Sequence, residues 1–87
     1  MEITTKATAG TMQSSDLVVR VEPADWLEIA IESTVKQQFE HLIRERIEAV
    51  LRKHGVTRAR IAVADRGALD YAIEARVETA LRRAAEA

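Results

Sequence analysis

The chain has 87 residues, of which 47% are hydrophobic and 31% charged, and this composition predicts one small globular domain instead of a disordered or fibrous chain. Its 13 basic and 14 acidic residues leave a net charge of −1, which disfavours nucleic acid and anionic lipid as partners. It has no cysteine, its first ten residues lack the basic patch and apolar block of a secretory signal, and no apolar run approaches the ~20 residues of a membrane span, so we expect a cytoplasmic protein.

The first quarter of the chain predicts a β-hairpin. Residues 3–12 are mostly β-branched or small, which favours an edge strand or an extended arm. The valine-rich run from Leu17 to Glu22 predicts a second strand. The polar QSSD between them favours a chain reversal, with Ser14 at the tip and its hydroxyl in solvent. On composition alone, these serines need be no more than turn residues.

A third strand is predicted after the turn at Pro23. Leu27, Ile29 and Ile31 alternate with glutamate or alanine, which is the period of a half-buried strand. A helix is the weaker interpretation of this segment.

The longest predicted helix runs from about Val35 to about Lys53. Ser33 and Thr34 each offer an N-cap, and Gln37 completes a capping box with Thr34. Basic residues and a glycine at the other end predict where it stops. Its predicted buried stripe is Val35, Phe39, Leu42, Ile43, Ile47, Val50 and Leu51.

The last third predicts a short strand centred on Ile61 and Val63, followed by a helix in which Glu78 pairs with Arg82. The predicted buried stripe of this helix is Leu69, Ile73, Val77, Ala80, Leu81 and Ala84. The whole chain, residues 1–87, therefore predicts a single α+β domain: a small, mainly antiparallel sheet with two helices packed on one side.

Few residues are candidates for chemistry. His41 is expected on the surface and His54 at a helix C-terminus, where it complements the dipole. Asp65 and Asp70 bracket the start of the last helix, where capping explains both. We expect no metal site, and Trp26 is expected to be a core or interface anchor.

One basic concentration stands out around the fourth strand, formed by Arg58, Arg60 and Arg66. Such clusters are mostly solvated surface, although this one could meet an anionic partner or a phosphate-bearing group. Composition and periodicity thus predict a small α+β domain without a self-contained active site.

Three segments, AGTMQSSD, VKQQFEHLIRERI and DRGALDYAIEARVETAL, resemble the citrate lyase acyl carrier proteins. The similarity spans nearly the whole chain in unbroken order. The family typically reads Ser-Gly-Asp where this chain has Ser14, Ser15 and Asp16. Asp16 is expected to have a structural role in the turn, although a modifying enzyme could also read it.

The resemblance implies that Ser14 carries phosphoribosyl dephospho-coenzyme A through a phosphodiester. The thiol of this prosthetic group would hold acetyl and citryl thioesters while citrate is cleaved to acetate and oxaloacetate. The implied partners are the citrate lyase alpha subunit (acyl transferase), the beta subunit (acyl lyase) and a prosthetic-group transferase. The chain itself would be a carrier and not an enzyme, because the chemistry belongs to the cofactor and the partners.

Two alternatives stay open. The chain could be the related carrier subunit of a malonate decarboxylase, although DRGALD favours the citrate enzyme. It could also be an unmodified protein–protein interaction module. A nucleic-acid-binding domain is disfavoured by the net charge and the scarcity of aromatic residues.

Overall fold

The computed structural model describes residues 1–33 and 39–85, and within them it confirms the predicted α+β class. Four strands and two helices follow one another in the order β, β, β, α, β, α. Their bounds are β1 Ala7–Gly10, β2 Leu17–Glu22, β3 Leu27–Ser33, α1 Glu40–Lys53, β4 Ala59–Asp65 and α2 Asp70–Ala85.

The strands form one sheet in the order β1-β2-β4-β3. β1 and β2 are an antiparallel hairpin, and β4 runs antiparallel to β2 but parallel to β3. A parallel pair needs a crossover connection, which α1 supplies between β3 and β4. Leu17 and Ser33 both lie opposite Asp65, so the hairpin loop and the last residues of β3 and β4 lie at the same end of the sheet. We call this end of the sheet the hairpin end.

Both helices pack on the same face of the sheet, as predicted. The two helices contribute their stripes to the core, and β2 and β4 contribute every second residue. The largest fully buried side chains are Leu17, Ile47, Leu51, Ile61, Leu81, Val19, Val21 and Val77. The opposite face of the sheet lies open, and there Arg60 donates to Glu22 and Glu28 at 2.6 and 3.0 Å.

Three predicted core positions are wrong. Phe39 and Leu42 are 43% and 50% exposed, because they border a groove of about 260 Å³ that Gly67 and Ala68, with almost no side chain, leave unfilled. Leu69 is 58% exposed because it precedes α2, so the helical period does not apply to it. Trp26, predicted to be a core or interface anchor, is 59% exposed, which excludes the core role and leaves the interface role a prediction.

The described bounds of α1 test the predicted end of this helix and not its predicted start. Phe39 occupies the N-cap position and Glu40 is the first helical residue, while the end at Lys53 is as predicted. Ser33 belongs to β3, and its hydroxyl donates to Asp65 at 2.9 Å. The predicted capping box of Thr34 and Gln37, like the predicted start at Val35, lies outside the described residues.

Neither of the two described helices has the length and apolar character needed to cross a membrane.

Candidate functional site

Ser14 lies in the loop that joins β1 to β2, at the tip of the predicted hairpin. The Asp16 amide donates to the Gln13 carbonyl at 3.2 Å, which makes Ser14 and Ser15 the central residues of a β-turn. Ser14 is exposed. Its hydroxyl has no hydrogen-bond partner among residues 1–33 and 39–85. No hydrogen bond within the described residues therefore occupies this hydroxyl.

Ser15 has a φ of +63°, in the left-handed region that side chains with a Cβ rarely occupy. A turn whose second central residue has positive φ favours glycine at that position. The family that this chain resembles typically has a glycine at this position. Ser15 keeps the left-handed conformation that such a glycine would adopt, at a cost in backbone strain. The Ser15 amide donates to the Arg66 carbonyl at 2.8 Å, which holds the residue in this conformation.

The backbone at position 10, in the AGT segment, requires a glycine. Its φ is +101°, and a Cβ built on it would lie 1.8 Å from the Leu17 carbonyl oxygen. The same oxygen accepts a hydrogen bond of 3.1 Å from the Thr11 amide. A side chain at this position would therefore push the two strands apart directly below the loop.

Asp16 anchors the loop from within. The Thr11 hydroxyl donates to Asp16 Oδ2 at 2.6 Å, and the Leu17 amide donates to Oδ1 at 2.8 Å. Arg76 on α2 donates to both oxygens, from Nε to Oδ1 at 3.2 Å and from Nη2 to Oδ2 at 3.0 Å. The hydrogen bonds from Thr11 and Arg76, with that from the Leu17 amide, lower the pKa of Asp16 to about 2. These contacts give Asp16 the structural role expected for it.

Arg66 continues the sheet into the loop. Its amide donates to the Asp16 carbonyl at 2.9 Å, one step beyond the pairing of Leu17 with Asp65. The hairpin loop is thus held at its base by α2 and along its side by the chain that follows β4, and only the tip projects.

Asp65 and Asp70 have separate roles. Asp65 is buried and accepts hydrogen bonds from the Ser33 hydroxyl and from the amides of Gly67 and Ala68, at 2.9, 3.2 and 3.0 Å. It therefore shapes the loop before α2. Asp70 begins α2 and pairs with Arg46 at 3.0 Å.

The two histidines lie apart from the hairpin loop. His41 is exposed on α1. His54 is the C-cap of the same helix, with its Nε2 3.8 Å from Glu78 Oε2. In the described part of the chain, no group of three or more histidine, aspartate or glutamate side chains is arranged to hold a metal ion.

Sequence reasoning predicted the position of Ser14 at the hairpin tip and missed the contributions of Arg76 and Gly10 to the loop. Arg76 is 60 residues from Asp16, and nothing in the order of the residues pairs them. Gly10 carried a detectable signal, because a glycine at the end of a β-branched segment before a polar turn indicates a close backbone approach.

The known proteins that are similar to this chain in sequence are acyl carrier proteins. The family profile described as the malonate decarboxylase delta subunit, an acyl carrier protein profile, matches residues 4–84. The citrate lyase acyl carrier protein of Haemophilus influenzae (strain PittEE) is 49% identical over 99% of this chain and 90% of its own length. That of Treponema denticola is 44% identical over 99% of both chains.

A solved structure shares the fold. It is a chain of a Pseudomonas malonate decarboxylase hetero-tetramer in complex with malonate, with a TM-score of 0.76 and 24% identity, over 91% of this chain and 82% of that one. The profile and the curated relatives define one class of protein, the acyl carrier proteins. These relatives are 44–49% identical to this chain over nearly its full length. The chain therefore belongs to the citrate lyase acyl carrier protein family.

Proposed function

We propose that this chain is the acyl carrier subunit of a citrate lyase and that Ser14 is the residue that carries the prosthetic group. One observation supports the proposal most strongly: the Ser14 hydroxyl is exposed at a tip whose base is fixed by Asp16 and Arg76. A transferase needs access to the hydroxyl. The enzyme subunits that the carrier serves need the attachment point in a constant position. An exposed tip on a fixed base meets both requirements.

The residues at the tip fit phosphoribosyl dephospho-coenzyme A. Ser14 would hold the group through its Oγ, and the neighbouring cation Arg66 suits a phosphodiester. When bound, the group supplies a thiol that carries acetyl and citryl groups as thioesters. The loop's own task is to present that attachment point and to limit its movement.

The chain does not supply the chemistry in this proposal. Asp16 is the carboxylate nearest to Ser14 in sequence, but its low pKa and its four hydrogen bonds make it a poor general base at neutral pH. Asp65 is buried and has hydrogen bonds to both oxygens. Activation of the Ser14 hydroxyl is thus assigned to the prosthetic-group transferase.

The proposed partners are the alpha and beta subunits of citrate lyase. The fold neighbour is a subunit of a malonate decarboxylase hetero-tetramer, which supports a role for this chain as a subunit of a larger complex. The arm would raise the effective concentration of its acyl group at two active sites in turn.

Reconstitution tests this function. Holo-protein with an acetylated thiol is mixed with citrate, first alone and then with the alpha and beta subunits, and oxaloacetate is measured. We expect oxaloacetate only in the complete mixture, none there with Ser14→Ala, and normal yield with the matched variant Ser15→Gly. Oxaloacetate from the isolated domain would contradict the carrier role.

A second candidate is the carrier subunit of a malonate decarboxylase, which the description of the matching profile favours. The two candidates differ in which acyl transferase they serve. Parallel mixtures with the acyl transferases of the two systems decide between them, and we expect acyl transfer only with the citrate lyase subunit. Transfer with the malonate enzyme alone would favour the second candidate.

A further inference from the structure

The three arginines that look clustered in the sequence are separated in space. Arg58 precedes β4, and Arg66 follows its last residue. The seven residues of β4, at ~3.3 Å each, put roughly 20 Å between these positions. Arg66 therefore lies at the hairpin end, and Arg58 lies at the opposite end of the sheet.

Arg60 and Arg66 also differ in how they are paired. Arg60 donates to Glu22 and Glu28, and the hydrogen bond to Glu22 raises the pKa of Arg60 above its usual value. Arg66 is exposed and forms no ion pair with any acidic side chain of residues 1–33 or 39–85. Of the two, Arg66 is the cation available to another molecule.

The backbone of Arg66 is fixed beside the serine turn. Its carbonyl accepts a hydrogen bond from the Ser15 amide at 2.8 Å, and its amide donates to the Asp16 carbonyl at 2.9 Å. Partners in an antiparallel ladder lie about 5 Å apart between Cα atoms. The flexible Arg66 side chain thus starts beside the loop, two residues away from Ser14 in register.

The two acids nearest to Arg66 have other partners. Asp16 is bound by Thr11, the Leu17 amide and Arg76. Asp65 is buried, and its oxygens accept from Ser33 and from the loop amides before α2. Arg66 is consequently an uncompensated positive charge whose backbone lies two residues in register from the exposed Ser14.

We infer that the Arg66 guanidinium binds the phosphodiester on Ser14 Oγ and sets the direction in which the prosthetic group leaves the tip. This inference rests on the proposed function, because it requires Ser14 to be loaded. Two parallel N–H groups of a guanidinium match two non-bridging phosphate oxygens, and opposite charges strengthen the hydrogen bonds. Arg66 is a positioning residue in this account. The pair is exposed, so salt weakens it.

Phosphorus NMR of the isolated holo-protein tests the inference without any activity measurement. Spectra are recorded for the wild-type protein, Arg66→Gln, Arg66→Lys and the matched control Arg58→Gln. We expect Arg66→Gln to shift the phosphodiester resonance, Arg66→Lys to restore part of the shift, and Arg58→Gln to match the wild type. Added sodium chloride should move the wild-type resonance toward that of Arg66→Gln.

A shift confined to the pyrophosphate resonances of the arm would contradict the inference, as would identical phosphodiester resonances in all four proteins. If Arg66→Gln resists loading, the guanidinium Nε–H resonances of wild-type apo- and holo-protein give the answer. We expect loading to shift the Arg66 signal and not the Arg58 signal, and an unchanged Arg66 signal overturns the inference. Intact mass is read first: an unloaded wild-type protein contradicts the proposed function itself, whereas a loaded one without these shifts contradicts only the role of Arg66.

Discussion

Arg76 donates to both carboxylate oxygens of Asp16, at 3.2 and 3.0 Å, and so joins the middle of α2 to the base of the hairpin loop. The Asp16 side chain is only 14% exposed, and Thr11 and the Leu17 amide bind the same two oxygens. This ion pair links the loop that presents Ser14 directly to the helical layer.

Loss of this link should destabilise the fold more than loss of a surface pair. Arg76→Gln leaves a mostly buried carboxylate without its cation, and we expect the free energy of unfolding to fall by about 1–3 kcal/mol. Arg82→Gln is the matched control. Arg82 pairs with Glu78 one turn away on the exposed side of the same helix, a contact of about 0.3–0.5 kcal/mol. Urea denaturation measures both, and equal losses would contradict the anchoring role of Arg76.

The same carboxylate predicts a pH dependence. Its pKa is about 2 in the folded protein against an ordinary value of 3.8, so the folded state favours the ionised form. The resulting stability is fully present above pH ~4 and is lost as the pH falls from there through about 2. Denaturation measured between pH 5 and pH 2 should show this loss in the wild type and a smaller loss in Asp16→Asn. Parallel curves would show that Asp16 is not the group responsible.

Glycine at position 15 should stabilise the hairpin. The φ of +63° strains a serine, and glycine removes the strain while giving back part of the gain as unfolded-state entropy. We expect Ser15→Gly to raise the free energy of unfolding by about 0.5–1 kcal/mol, and the β-branched Ser15→Val to lower it. Thermal unfolding of the three proteins checks the order. A glycine variant less stable than the wild type would mean that the serine side chain contributes a contact to the turn.

The sequence was sufficient for the elements whose signals are local. The valine-rich run in Leu17–Glu22 and the alternation in β3 predicted those strands, and Lys53 followed by a glycine-containing turn predicted the end of α1. Ser14 at the tip followed from the polar residues between two strands. In each case, neighbours within a few residues decide the conformation.

The features that the sequence did not predict depend on contacts between residues that are far apart in the chain. Periodicity gives the direction of a buried stripe but not its width, and the short side chains of Gly67 and Ala68 decide that Leu42 stays exposed. The placement of β4 between β2 and β3 and the pairing of Asp16 with Arg76 are likewise properties of the assembled fold. Alternation or composition within one segment contains no information about them.

The buried face of α1 can be tested with a matched pair of substitutions. Ile47 is fully buried and Leu42 is half exposed on the same helix. Ile47→Ala should cost about 2–5 kcal/mol through the cavity it leaves, and Leu42→Ala should cost less than ~1 kcal/mol. Chemical denaturation of both variants gives the comparison. A larger loss for Leu42→Ala would show that the groove at the hairpin end is filled in solution.

The attachment of the prosthetic group to Ser14 is the central claim, and site-mapped intact mass spectrometry tests it most directly. The protein is produced together with its prosthetic-group transferase and the precursor of the group, as wild type, Ser14→Ala and Ser15→Gly. We predict a mass gain equal to phosphoribosyl dephospho-coenzyme A in the wild type and in Ser15→Gly, located on Ser14 in the digested peptide, and no gain in Ser14→Ala. A gain retained in Ser14→Ala, or a wild-type protein that is never modified, would contradict the account.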